Sequence, residues 1–206
     1  VIIVVCAVEG IMPQTETVIR QALKEKVKPV LFINKVDRLI AELQVTPEDM
    51  MQRFGKIITE VNKLIVRMVP EEFKKEWMVD AQAGTVAFGS AYHNWATSLP
   101  FMAKKNVNFK QIYEFMEKEQ RRELAQAAPL HEVLLDMIVE KLPSADAAQK
   151  YRIPHIWRGE SEEDIGQAMV NANANGDSAF MVTKVVLDPH AGEIAVGRLF
   201  SGTIKK

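Results

Sequence analysis

The chain has 206 residues, 48% hydrophobic and 26% charged, enough for one full domain and part of a second. Its net charge of -1 excludes a bulk electrostatic pull toward nucleic acid or a membrane surface, and no apolar run approaches the roughly 20 residues of a membrane span. The single cysteine, Cys6, permits no internal disulfide, which fits a reducing, cytoplasmic setting; inside an apolar run it reads as a small buried side chain.

Val1 to Val8 is continuously apolar, a first buried strand ended by Glu9-Gly10. Pro13 and Glu16 suit the first turn of a helix to about Lys26, with Val18, Ala22, Ile19 and Leu23 on one face. Lys24, Lys26 and Lys28 read as a solvated helix end. A second buried strand follows, Val30 to Val36. Strand, helix and strand make a parallel, right-handed βαβ unit.

That second strand runs into Asn34-Lys35-Val36-Asp37, which places the polar residues at a strand's C-terminal end, where open α/β sheets bind ligands. The residue types suit a guanine base. Guanine offers two adjacent donors, the ring N1–H and the 2-amino group, and the Asp37 carboxylate can accept both. Adenine carries an acceptor at N1 and leaves the carboxylate unsatisfied. The Lys35 stem can lie along the base face, and Asn34 can tie neighbouring loops together and touch the base edge.

Residues 38–82 read as a helical insertion. Thr46-Pro47-Glu48-Asp49 is a strong helix start, and apolar residues keep helical period from Met50 to Met68 before Pro70 ends the run. A short helix over Glu71 to Trp77 follows. The insertion is either a packing element or a surface for a partner. Thr85 to Ala91 is a third buried strand, ending in Gly89-Ser90-Ala91. Parallel beside the second strand, it would bring Ser90 and Ala91 to the edge that carries Asn34 and Asp37, where small residues let backbone approach a ligand and a backbone N–H can meet guanine O6.

Tyr92 to Leu99 reads as the start of a helix. Asn108 caps a helix to about Ala125, and Leu130 to Leu142 forms another, ended by Pro143. Ser144 to Gly159, with Pro154, reads as a connector. Ser161 to Asp164 reads as a capping box for a helix to about Val170. Ala179 to Leu187 and Glu193 to Phe200 read as strands about a turn, with Thr203-Ile204 entering a third. The fold class is therefore α/β, followed by the start of a β-barrel: residues 1–37, the insertion 38–82, 83–143, a connector 144–177 and strands 178–206. The histidines, His93, His131, His155 and His190, are scattered without metal-ligand spacing. The chain opens inside a strand and closes in strand-like sequence, which predicts a piece of a longer protein. An unpartnered first strand predicts pairing with a second copy along that edge.

Several runs resemble the elongation factor 2 family of translational GTPases in its archaeal form: Val5 to Thr17, Phe32 to Arg38, Val86 to Ala91, Pro129 to Val133 and Val196 to Gly202. The resemblance covers essentially the whole chain. It implies the C-terminal part of a P-loop-type GTPase domain, with Asn34, Lys35 and Asp37 as guanine contacts and Ser90 and Ala91 as a second wall. It implies a parent that binds GTP or GDP with Mg²⁺ and couples hydrolysis to tRNA and mRNA movement on the ribosome. The family's phosphate loop and Asp-x-Pro-Gly-His segment have no counterpart in the 206 residues. The resemblance therefore assigns no catalytic residue or metal ligand here, and predicts that this piece alone does not hydrolyse GTP. A non-catalytic ribosome-interaction module and an initiation- or release-type translational GTPase are the alternatives.

Overall fold

The computed structural model describes residues 1–105 and 107–205; Asn106, within the 83–143 segment, and Lys206, at the end of the 178–206 segment, lie outside the described residues. The chain divides into two compact units, Val1–Leu142 and the residues from Pro143 onward.

The first unit is built on a four-stranded sheet in the order β1-β2-β3-β4. Strands β1 (Ile2–Cys6), β2 (Val30–Asn34) and β3 (Val86–Ser90) run parallel; β4 (Trp95–Thr97) is antiparallel to β3. The register pairs Cys6 with Asn34 and Ile33 with Phe88, so three strands end at one edge. Val30, Leu31, Phe32 and Ile33 are all buried, as a central strand covered on both faces requires. β1 is at the sheet's edge among the described strands. It is not buried throughout as its composition suggests: Val4 is 53% exposed, and Cys6 is a half-buried free thiol.

Helix α1 (Pro13–Lys24) has Pro13 and Glu16 in its first turn and buries Ile19 and Leu23. Helix α2 (Val36–Ala41) is new relative to the sequence reading and buries Val36, Leu39 and Ile40. Helix α3 (Pro47–Met68) starts where expected, with the Thr46 hydroxyl accepting the Asp49 N–H at 3.2 Å. Its Met50, Phe54, Ile57, Val61, Leu64 and Ile65 are buried. Phe54 stacks on Phe88 of β3, ring centroids 4.8 Å apart, so the insertion packs directly on the sheet. Helix α4 (Glu71–Trp77) is tied back by Lys28–Glu76 at 2.7 Å, and Lys28 is therefore not a merely solvated cation.

The segment after β3 departs from expectation. Tyr92 to Leu99 does not start a helix; it turns through Asn94 (φ 56°) into β4, and helix α5 (Leu99–Lys105) begins only at Leu99. Trp95-Ala96-Thr97 is wholly buried, and a Trp–Thr pair suits a strand better than a helix. Asn108 caps helix α6 (Phe109–Glu117) through a reciprocal box with Gln111. The sequence predicts one helix from there to about Ala125. Glu119 takes a left-handed conformation (φ 55°) and separates α6 from α7 (Arg121–Ala127). Helix α8 (Leu130–Lys141) closes the unit.

In the second unit the expected connector is helical: α9 (Ala145–Ile156) tolerates Pro154 in its last turn. Burial drives it. Ile153 packs with Met169 and Phe200, and the buried Gln149 amide donates to the Met169 and Phe200 carbonyls. Helix α10 (Asp164–Val170) lacks the expected capping box; Glu163 is its N-cap without a side-chain bond, and Gln167 Nε2 donates to the Ser161 carbonyl at 2.8 Å. Strands β5 (Ala179–Asp188) and β6 (Gly192–Ser201) form an antiparallel hairpin closed by Asp188 and Gly192 (φ 77°). Thr203-Ile204 forms no third strand.

Candidate functional site

Asn34 is the last residue of β2, and everything at the site is arranged around its side chain. Its Oδ1 accepts the Lys35 N–H at 2.8 Å and the Ala91 N–H at 2.9 Å, the second bond spanning 57 residues of sequence. The Asn34 carbonyl accepts the Ala7 N–H at 2.8 Å. One residue thus ties together the ends of β1, β2 and β3. Lys35 then takes a left-handed conformation (φ 64°), the N-cap of α2, and this sharp reversal puts Asp37 in the helix's first turn. Asp37 therefore stands on a helix rather than at a bare strand end.

Asn34, Lys35, Asp37, Ser90, Tyr92 and His93 line one cleft of about 530 Å³, within the range of small-molecule sites. Met116 and Arg121, from α6 and α7, line its far side. The cleft thus gathers four of the five sequence-chosen residues; Ala91 joins through its N–H to Asn34. The Asp37 carboxylate is the notable group. Its Oδ1 is buried and has no hydrogen-bond partner, and its Oδ2 is 3.6 Å from His93 Nε2. A buried carboxylate oxygen without a donor costs about 1–3 kcal/mol or more. The Asp37 side chain as a whole is 16% exposed and lines the cleft. Arg121 Nε is a second buried polar atom without a partner.

The small residues of Gly89-Ser90-Ala91 have separate reasons. A Cβ on Gly89 would sit 2.3 Å from the Trp95 carbonyl oxygen and 2.7 Å from Ala96 Cα. Gly89 is thus required by the close approach of β4, not by a ligand. Ser90 is buried, and its hydroxyl accepts the His93 N–H at 3.3 Å, shaping the turn. Ala91 donates to Asn34 instead of pointing an uncommitted N–H into the cleft. Tyr92 is 86% exposed, with its ring edge-on to the His93 imidazole at 4.8 Å.

In sequence His93 is only one of four scattered histidines, and Arg121 is unmarked. His93 follows a turn whose shape depends on β4, and Arg121 comes from a helix far along the chain; no local pattern marks either. His131, His155 and His190 are exposed. No group of three or more His, Cys, Asp or Glu able to hold a metal ion occurs among the described residues. No helix is long and apolar enough to cross a membrane among them.

A mixed, largely parallel sheet flanked by helices, with polar residues gathered where three parallel strands end, is the architecture of a P-loop-type GTPase domain, the class in which the family match places the first unit; an antiparallel sheet follows it. The family model for the elongation factor Tu GTP binding domain matches residues 1–144, and the chain belongs to that family. Among curated proteins, it is 62% identical over 205 residues to "Elongation factor 2" of Methanococcus aeolicus, and 62% to that of Picrophilus torridus. It is 59% identical to "Elongation factor 2" of Methanocaldococcus jannaschii. Each match covers the whole of this chain and 28% of the relative, so the chain spans just over a quarter of the length of the proteins it resembles.

Proposed function

We propose that this chain carries the base-reading half of the nucleotide site of a cytoplasmic translational GTPase of the elongation factor 2 type. The parent would hydrolyse GTP, with Mg²⁺ bound outside these residues, and act on the ribosome. The observation that carries the reading is the Asp37 carboxylate lining the cleft beside Asn34, its Oδ1 without a donor in the protein. Guanine suits that carboxylate chemically, because its N1–H and 2-amino group supply two donors to one carboxylate.

Each residue then has a task. Asp37 accepts the two guanine donors. Asn34 holds the cleft's walls together through Lys35 and Ala91, and its amide donors face the base edge. The Lys35 stem covers one base face. Ser90 fixes the opposite turn, and the Ala91 N–H can share its bond between Asn34 and guanine O6. A site built on such partners rejects a base lacking them by about 10⁴–10⁵. None of these groups touches a phosphate. The chain by itself should bind GDP only at about millimolar strength.

The test exchanges the carboxylate for an amide. Asp37→Asn should weaken guanine nucleotide and favour xanthosine nucleotide, whose 2-oxo group accepts from the new amide. A competition assay in the full-length protein checks this. Unchanged guanine preference in the variant would remove Asp37 from the role.

A further inference from the structure

The His93 imidazole stands against the same carboxylate, and nothing in the base-reading scheme uses it. Nε2 and Asp37 Oδ2 are 3.6 Å apart, and both side chains are largely covered, 15% and 16% exposed. That separation is just beyond a hydrogen bond, and a small rotation of either group closes it. The backbone of residue 93 is fixed by its N–H, which donates to Ser90 Oγ at 3.3 Å, and the Tyr92 ring meets the imidazole edge-on. Ser90 in turn is buried at the end of β3. The β3–β4 turn therefore places residue 93 within reach of Asp37.

We propose that His93 is a positioning residue for Asp37, and that its protonation weakens the hold of that carboxylate on a guanine base. The inference rests on the base-reading role of Asp37. A carboxylate oxygen has two lone-pair sites, so Oδ2 can accept from neutral His93 and from the base together. The neutral imidazole thus orients the carboxylate and leaves its full charge for the ligand. The imidazolium instead neutralises that charge and draws Oδ2 out of the two-pronged contact. The other charged groups around the cleft are Lys35 at the α2 N-cap, Arg38 bonded to Glu42 at 2.8 Å on α2, and Arg121 at the start of α7. Between about pH 5 and 8, imidazole is the side chain whose charge ordinarily changes.

The experiment titrates the chain with GDP and with IDP, which lacks the 2-amino donor, following the Asn34 and Ala91 amide resonances at pH 8 and pH 5.5. The two ligands share their phosphates, so phosphate titration cancels in the ratio of affinities. The GDP preference should fall by about threefold to tenfold on acidification, the scale of one modest hydrogen-bond change. His93→Gln, which keeps a neutral donor near the Nε2 position, should hold the pH 8 preference at both pH values. His93→Ala should lower it at both. A pH response in His93→Gln equal to that of the natural chain overturns the proposal, and this arm decides it even if His93→Ala does not fold. An unchanged preference in folded His93→Ala also overturns it. The underlying role fails separately, by equal GDP and IDP affinities at pH 8 that Asp37→Ala leaves unaltered.

Discussion

Replacing Asn34 separates bracing from base contact. Asn34→Ala removes the acceptor of two amides, Lys35 at 2.8 Å and Ala91 at 2.9 Å. Each such bond contributes a net of about 0.5–1.5 kcal/mol; the Ala91 bond is the one that joins the ends of β2 and β3, so they lose about that much mutual restraint, and the turn at Lys35 loses a similar amount. Native-state hydrogen exchange reads this residue by residue. The Ala91 and Lys35 amides should exchange about twofold to tenfold faster, while amides inside β2, such as that of Leu31, bonded to Thr85, keep their rates. Asn34→Asp is the matched control. A carboxylate accepts both N–H groups as the amide oxygen does, yet it offers no donor to a base. Exchange in Asn34→Asp should stay near that of the natural chain, while guanine binding falls. Unchanged protection at Ala91 in Asn34→Ala would show that the bond does not hold the two strand ends together, and the reasoning would fail.

Three further outcomes follow from the same structure. Gly89→Ala drives a Cβ to 2.3 Å from the Trp95 carbonyl, and since backbone cannot yield as a flexible side chain does, it should cost at least about 1–3 kcal/mol, read by chemical denaturation through the fluorescence of the buried Trp77 and Trp95; unaltered stability would contradict the strand spacing. Phe54→Ala removes the ring stacked on Phe88 and should destabilise the first unit by about 3–5 kcal/mol; a loss under about 1 kcal/mol would show the insertion to be independent of the sheet. In the hairpin, the Ala191 and His190 N–H groups hold the Asp188 carboxyl below the usual carboxylate range. Its contribution is present above the ordinary Asp value of about 3.9 and is lost as pH falls through the lower folded value, so the His190 and Ala191 amide shifts should titrate with a midpoint below that value. A midpoint at or above it would contradict the bonding.

What was legible in sequence was what a short window encodes. The burial of β2 follows from an uncharged apolar run, the start of α3 from Thr46-Pro47, and the start of α6 from Asn108. The misses share a cause. β4 is three residues long, too short for any periodicity, and exists because β3 offers it an open edge. α9 carries a proline and mixed polarity, and is helical because Ile153 and Gln149 find partners in α10 and β6. The break between α6 and α7 depends on one residue, Glu119, taking a left-handed conformation, which nothing in its own chemistry requires.

The site divides along the same line. Asn34, Lys35 and Asp37 are adjacent in sequence, and their chemistry could be argued from residue types alone. Their geometry could not, because the left-handed Lys35 moves Asp37 onto α2 and changes what surrounds it. Gly89 shows the converse: its place in the motif suggested room for a ligand, while the structure gives its small size to β4. His93 lies between these cases. Only the turn that β4 imposes brings it to Asp37, so the element least visible in sequence places the one imidazole at the site. A residue that reads a base can therefore be found by motif, whereas the groups that tune it are found by following what the neighbouring backbone is compelled to do.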